Sequence, residues 1–272
     1  MTAIEVTGLG YTYPGSDQPA LADLDVSIPA GRVTLVTGRL GAGCSTLLEI
    51  LAGVAPRLTG GTLTGTVRVL GVDPSAREGG RTLVGRVVML LPTPSSQLSG
   101  MTSTVRDEVA FGPANLGWDR QRIARVVDGE LDRLGIAGLA DRDPATLSGG
   151  ELQRVILAGC LAMEPEVLLL DEPAAELDPP MAERLYALLP ELTATTVVLA
   201  TTDVDRASPH VQEVVVLDGG GVVAAGSPSE ALGQEAVVGL DAGSTVARIV
   251  YEAGGRGRLP IDVAGVREWI AS

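Results

Sequence analysis

Val33-Thr34-Leu35-Val36-Thr37-Gly38-Arg39-Leu40-Gly41-Ala42-Gly43-Cys44-Ser45-Thr46 decides the architecture of this chain. A strand-sized apolar run passes through a glycine loop directly into a helical segment, residues 45–52, closed by Gly53. Glycines at this spacing, closed by Ser-Thr, make a phosphate-binding loop, where backbone N–H groups and a helix N-terminus surround a polyphosphate. On that reading Gly38, Arg39, Gly41, Gly43, Cys44, Ser45 and Thr46 hold a nucleotide, with Ser45 ligating Mg²⁺ and Thr46 bonding phosphate. One position departs from the motif: Cys44 stands where a lysine belongs. Taken alone, the stretch also reads as a plain strand-to-helix turn.

A second stretch removes that ambiguity. Val167-Leu168-Leu169-Leu170-Asp171-Glu172-Pro173 is an apolar strand that delivers two carboxylates at its C-terminal end. Asp171 suits Mg²⁺ and Glu172 suits polarising an attacking water, so these two are the candidate catalytic residues. Between the two stretches, Leu147-Ser148-Gly149-Gly150-Glu151-Leu152-Gln153-Arg154 opens another helix with free N–H groups, a second anion site. One nucleotide needs only one such helix end. The other end would serve a nucleotide bound mainly by a second protomer.

The rest of the chain fits an α/β fold. Residues 4–7, 20–28 and 61–70 alternate as strands, and 87–91 and 196–200 read as further strands. A helical period runs over 120–134, and 149–162 and 180–189 read as helices. Residues 214–217 and 222–224 form a hairpin about Asp218-Gly219-Gly220-Gly221. The alternation implies a parallel, helix-covered sheet with an antiparallel N-terminal part. The segment after about residue 240 is weakly patterned and ends in a short helix, 263–270.

Composition narrows the function classes. All 20 basic residues are arginine, and the net charge is −14, which repels phosphate backbones and argues against a nucleic-acid partner. Two cysteines, Cys44 and Cys160, make no disulfide framework. Nothing reads as a signal peptide, and the longest apolar runs fall far short of the ~18 residues of a membrane span. A cytosolic chain is expected, unless something carries it to a membrane surface.

These motifs together resemble the ATP-binding subunit of an ATP-binding cassette transporter. Leu147 to Arg154 is similar to the family's signature, 167–173 to its Walker B strand, and Ala175-Glu176-Leu177-Asp178-Pro179 to its D-loop. Tyr13 matches the aromatic that stacks on adenine. Gln97-Leu98 and Thr104-Val105-Arg106-Asp107-Glu108-Val109-Ala110-Phe111-Gly112-Pro113-Ala114-Asn115-Leu116-Gly117 resemble the energy-coupling factor importers. The resemblance implies ATP and Mg²⁺ as ligands and an α/β P-loop cassette over 1–235, its helical signature part near 95–160. It implies a small dimerisation appendage over 236–272. It also implies a second cassette paired head to tail, a transmembrane coupling subunit, and a peripheral place on the cytoplasmic face of the cell membrane. Asp107 and Glu108 are candidates for the acidic groove that receives the membrane subunit; a solvated helix face is the alternative.

Four positions depart from the family pattern. They are Cys44, Pro92 at the Q-loop glutamine, Thr202 at the switch histidine, and Ala175 in place of the usual D-loop serine. The only histidine, His210, lies too far along to replace Thr202. The signature residues, which act on a partner's nucleotide, are intact. The expectation is a cassette with a catalytically silent private site. Arg39 is a candidate substitute cation, or a solvated arginine. Cys44 at a helix N-terminus is either a reactive thiol or a tolerated small residue. An active homodimeric ATPase and a nucleotide-sensing scaffold are the rival readings.

Overall fold

Two sheets with one helix clamped between them place the glycine loop. The structure, a computed structural model, describes residues 1–240 and 242–271. β1 (Thr2–Thr12), β2 (Leu21–Pro29) and β4 (Thr62–Val69) form an antiparallel sheet in the order β2-β1-β4. The larger sheet holds β3 (Val33–Gly38), β5 (Val87–Leu90), β6 (Val167–Asp171), β7 (Thr196–Ala200), β8 (Glu213–Asp218) and β9 (Gly221–Gly226). Its order is β5-β6-β7-β3-β8-β9, parallel throughout except for the β8-β9 hairpin. The sequence dictates this division. β3, β6 and β7 are apolar or Thr at every position except the terminal Asp171 and are buried along their whole length, as parallel strands covered on both faces must be.

Helix α1 (Cys44–Leu51) fills the space between the sheets. Its Leu47, Leu48, Ile50 and Leu51 pack with Ile4, Leu9, Leu24 and Ile28 of the small sheet and with Val36, Leu169 and Val198 of the large one. The opposite face of the large sheet is covered by α3 (Val105–Asn115), α5 (Gly149–Ala162) and α6 (Pro179–Leu188). α4 (Arg120–Arg133) lies outside α3 and α5, burying Val127 and Leu131. Every strand and helix expected from the sequence is present. The short α2 (Arg77–Thr82), α7 (Val204–Ala207), α8 (Pro228–Leu232), α9 (Glu235–Gly239) and α10 (Thr245–Glu252) were not legible, because none exceeds 8 residues and a period needs about two turns to show.

The C-terminal segment divides its contacts. Val237 and Ala242 belong to the main core, while Ala247, Val250 and Leu259 form a separate cluster. Tyr251 of α10 and Val266 of α11 (Val263–Ala271) pack on that cluster. Within 236–272, Asp241 and Ser272 lie outside the described residues. No helix among the described residues is long and apolar enough to cross a membrane.

Candidate functional site

The C-terminal ends of β3, β6 and β7 lie side by side, the place where open α/β sheets bind ligands. A cavity of about 350 Å³ opens there, lined by Tyr13, the loop from Gly38 to Thr46, Asp171, Glu172, Thr201 and Thr202. Topology therefore gathers the predicted loop and both predicted carboxylates. Gly43 is required by space as well as by backbone. Its φ is 104°, and a Cβ there would lie 2.7 Å from the Ala20 carbonyl oxygen. The bend it permits aims the first N–H groups of α1, which have no partner within the helix, at the cavity.

The side chains of this cavity are bonded to one another. Ser45 Oγ donates to Asp171 Oδ1 at 3.1 Å, so the expected Mg²⁺ pair is assembled. A hydroxyl and a carboxylate are hard oxygen donors, and they fit that ion. Burial, then the neighbouring Glu172 and Glu49 charges, push the Asp171 carboxyl above its ordinary range, a penalty that a bound cation would remove. Tyr13 shares a hydrogen bond with Thr46 Oγ1 (3.0 Å) and donates one to Glu49 (3.1 Å), while its ring meets Tyr11 edge-on at 4.9 Å. The Thr46 hydroxyl expected to meet phosphate is thus shared with the tyrosine expected to meet adenine.

Glu172 is the most restrained residue of the site. Its φ is +46°, and its N–H donates to Ala200 O at 2.8 Å. Thr201 Oγ1 donates to Oε2 at 2.8 Å, and Oε1 accepts from the Thr202 amide (2.9 Å) and hydroxyl (3.2 Å). The Thr201 proton is therefore spent on Glu172, so the fully buried Tyr186, 3.4 Å away, must be the donor in its contact with Thr201. A chain of hydroxyls ties α6 to the carboxylate. Thr202, at the expected switch-histidine position, is a restraint on Glu172, a role that residue type alone does not reveal.

Two candidate substitutes at the loop have other occupations. Arg39 donates from Nε (3.0 Å) and Nη2 (2.8 Å) to Asp218 Oδ1 of β8. The Cys44 thiol is pushed up to about 12, first by burial and then by the Asp171 charge. Of the two readings of Cys44, the tolerated small residue is the one this favours, because desolvation outweighs the helix N-terminus.

Pro92 does not line the cavity. Gln97 turns its loop back, accepting from Leu91 N–H and donating to Met89 O. Glu108 is bonded to its own loop. It is 9% exposed, and its carboxylate accepts from Ser99 N–H and from the Ser99 and Thr102 hydroxyls, so it clamps its own loop while also lining a small cavity with Gln97, Phe111 and Met163. Asp107 alone of that pair is exposed. His210 bonds Glu183 at 2.9 Å, away from the site.

The signature stretch stands apart and is exposed. Ser148 and Glu151 form a reciprocal capping box: Ser148 Oγ accepts from Glu151 N–H, and the Glu151 carboxylate accepts from Ser148. Gly149 is left open to solvent, and Leu147 and Gly150 are half-buried. One neighbour was missed from sequence. A Cβ on Gly149 would meet the Glu176 carboxylate at 2.6 Å, so the D-loop glutamate lies over this helix end. Asp178 caps α6 by accepting from Met181 N–H at 2.9 Å.

Comparison with known proteins agrees with this arrangement. A family model described as ABC transporter matches residues 21–175. An energy-coupling factor transporter ATP-binding protein, EcfA1 of Lacticaseibacillus paracasei, is 37% identical over 84% of this chain and 80% of its own length. Proteins of Methanosarcina mazei and Methanosarcina acetivorans named for ABC transporter ATP binding are 35% and 37% identical over 82% and 85% of the chain. The chain spans only 38% of the length of each of those two. Among solved structures, cbiO1 of Clostridium perfringens, part of an ABC transporter complex cbiONQ, superposes with a TM-score of 0.75 at 28% identity, covering 100% of this chain and 99% of that one.

Proposed function

The chain belongs to the ABC transporter family, and on that premise we propose that it is the ATP-binding subunit of an energy-coupling-factor-type importer with an asymmetric motor. Its own pocket holds ATP with Mg²⁺ without useful turnover. Its signature, Leu147 to Glu151, completes the ATP site of a second, competent cassette paired head to tail. The two cassettes work beneath a transmembrane coupling subunit, on the cytoplasmic face of the membrane. The energy-coupling factor relatives support the class of importer.

One observation carries the asymmetry. Both oxygens of the Glu172 carboxylate are occupied by the chain's own Thr201 and Thr202, in a pocket whose loop has Cys44 in place of a cation. Binding survives such a change better than hydrolysis does. A charge-assisted contact to phosphate is worth about 1.5–3 kcal/mol, or roughly ten- to a hundredfold in affinity. The loop N–H groups, Ser45 with Asp171 for Mg²⁺, and Tyr13 remain. Mg²⁺ would neutralise phosphate charge there. Losing one preorganised donor typically costs about 10²–10³ in rate. Here the lysine, glutamine and histidine equivalents are all replaced, and the effects need not add.

In an active homodimer Arg39 or water would replace the missing groups, and Arg39 would have to leave Asp218 to reach a phosphate. Purification of this chain alone and together with a cassette carrying Lys and His at the corresponding positions separates the two readings. ATP turnover should appear with the mixture. Turnover by the isolated chain at a comparable rate, lost in a Glu172→Gln variant, would overturn the asymmetric motor.

A further inference from the structure

A second cavity, of about 430 Å³, lies away from the nucleotide pocket, where α4 and α5 meet α6. Its size is that of a small-molecule site, and spaces between packed helices are one of the places such sites occur. Leu157, Leu185 and Leu188 give it an aliphatic wall. Arg133, Arg154 and Arg184 also line it. Arg154 is held in place, donating from Nε to Gly150 O and from Nη1 to the Leu134 and Gly135 carbonyls. Among the described residues Arg184 makes no hydrogen bond or ion pair, and Arg133 has only a 3.5 Å pair with Glu130. Two carboxylates, Asp132 and Glu191, lie in the lining too, and neither pairs with these arginines. The lining therefore combines an aliphatic surface with three arginines against two carboxylates, in a chain of net charge −14.

We propose that this cavity is a second ligand site that takes a flexible aliphatic carboxylate, its chain against the leucines and its head group on Arg184 and Arg154. An aromatic ligand is disfavoured, because the wall contains no ring for it to stack on. The position gives the site a consequence. Arg154 ties the first turn of the signature helix, through Gly150, to the end of α4, and Leu177 of the D-loop also lines the cavity. An occupant would bridge the two segments that face a partner cassette, and so bias their relative position.

The test uses the full chain and dodecanoate below its micellar concentration, followed by titration calorimetry. Saturable binding of one dodecanoate per chain is expected. Arg184→Ala should weaken it about tenfold, the scale of one charge-assisted hydrogen bond. Leu188→Glu, which puts a carboxylate against the chain, should abolish it, with thermal unfolding used to verify that both variants fold. The matched cation dodecyltrimethylammonium should bind at least tenfold more weakly. Failure of dodecanoate to saturate, equal binding of the cation, or affinity unchanged in both variants would overturn the assignment.

Discussion

Two helix N-termini built on glycines, one at Cys44 and one after Ser148, treat their surroundings in opposite ways. At the first, the side chains that would reach a ligand are bonded within the chain: Tyr13 to Thr46, Ser45 to Asp171, Arg39 to Asp218, Glu172 to Thr201 and Thr202. At the second, Ser148 and Glu151 satisfy each other and leave the glycine backbone at the surface. Any ligand of the first must compete with these internal hydrogen bonds. The second leaves its glycine backbone at the surface, with the Glu176 carboxylate lying over it. A helix end and a pair of glycines do not fix function; what distinguishes the two is where the neighbouring polar groups are spent.

The largest contrast to probe is at Cys44. Burial pushes the thiol up to about 12 and lowers its thiolate fraction, an effect only partly offset by the greater nucleophilicity of a more basic thiolate, so native protein at pH 8 should react with iodoacetamide more than about tenfold more slowly than unfolded protein. Mass spectrometry of the labelled peptide measures this, and a difference below tenfold would break the picture of a closed pocket. Next comes the pairing itself. In the two-cassette mixture, Gly149→Asp should reduce ATP turnover about a hundredfold or more, whereas Glu172→Gln should change it less than about twofold. The reverse pattern would exchange the roles of the two regions.

Smaller effects sharpen the comparison. Cys44→Lys restores a cation to the loop and should tighten Mg-ATP binding to the isolated chain by roughly ten- to a hundredfold in a fluorescent-nucleotide titration. Glu176→Ala removes a negative charge from the signature helix end and should lower the apparent KM for ATP of the mixture by roughly two- to fivefold. The smallest effect is a matter of pH. Asp171 has a raised folded-state pKa, so its contribution is fully present below the ordinary carboxylate range and is lost as pH rises through the raised value. Wild-type Tm without Mg²⁺ should therefore fall relative to Asp171→Asn across that window, and Mg²⁺ should reduce the gap. Parallel Tm curves would remove burial as the cause of the shift.

Much of the frame was readable because its signals are periodic or depend on close spacing. Every residue of Val167 to Asp171 is buried, as its apolar run requires, and Gly149 to Ala162 is the helix that Ser148 opens. Glu108 shows where reading stopped. Side by side with Asp107, it differs from it by one step of about 100° around a helix, and that step turns it inward onto the 99–102 loop. The apolar period of α3 is weak and interrupted by Gly112 and Pro113, so the sequence does not assign the two acids to different faces.

Composition and spacing alone were enough for the longer strands and helices in their order, for the glycine loop and for the carboxylate pair. Each of these is written in residue types a few positions apart. Folding had to bring the chain together before Arg39 could belong to Asp218, Glu172 be held by the two threonines after β7, and the Cys44 thiol be suppressed. Those partners lie tens to more than a hundred residues apart in the chain. Hydrogen bonds and desolvation act across ångströms of space, so their outcome is set only when the sheets bring those residues together.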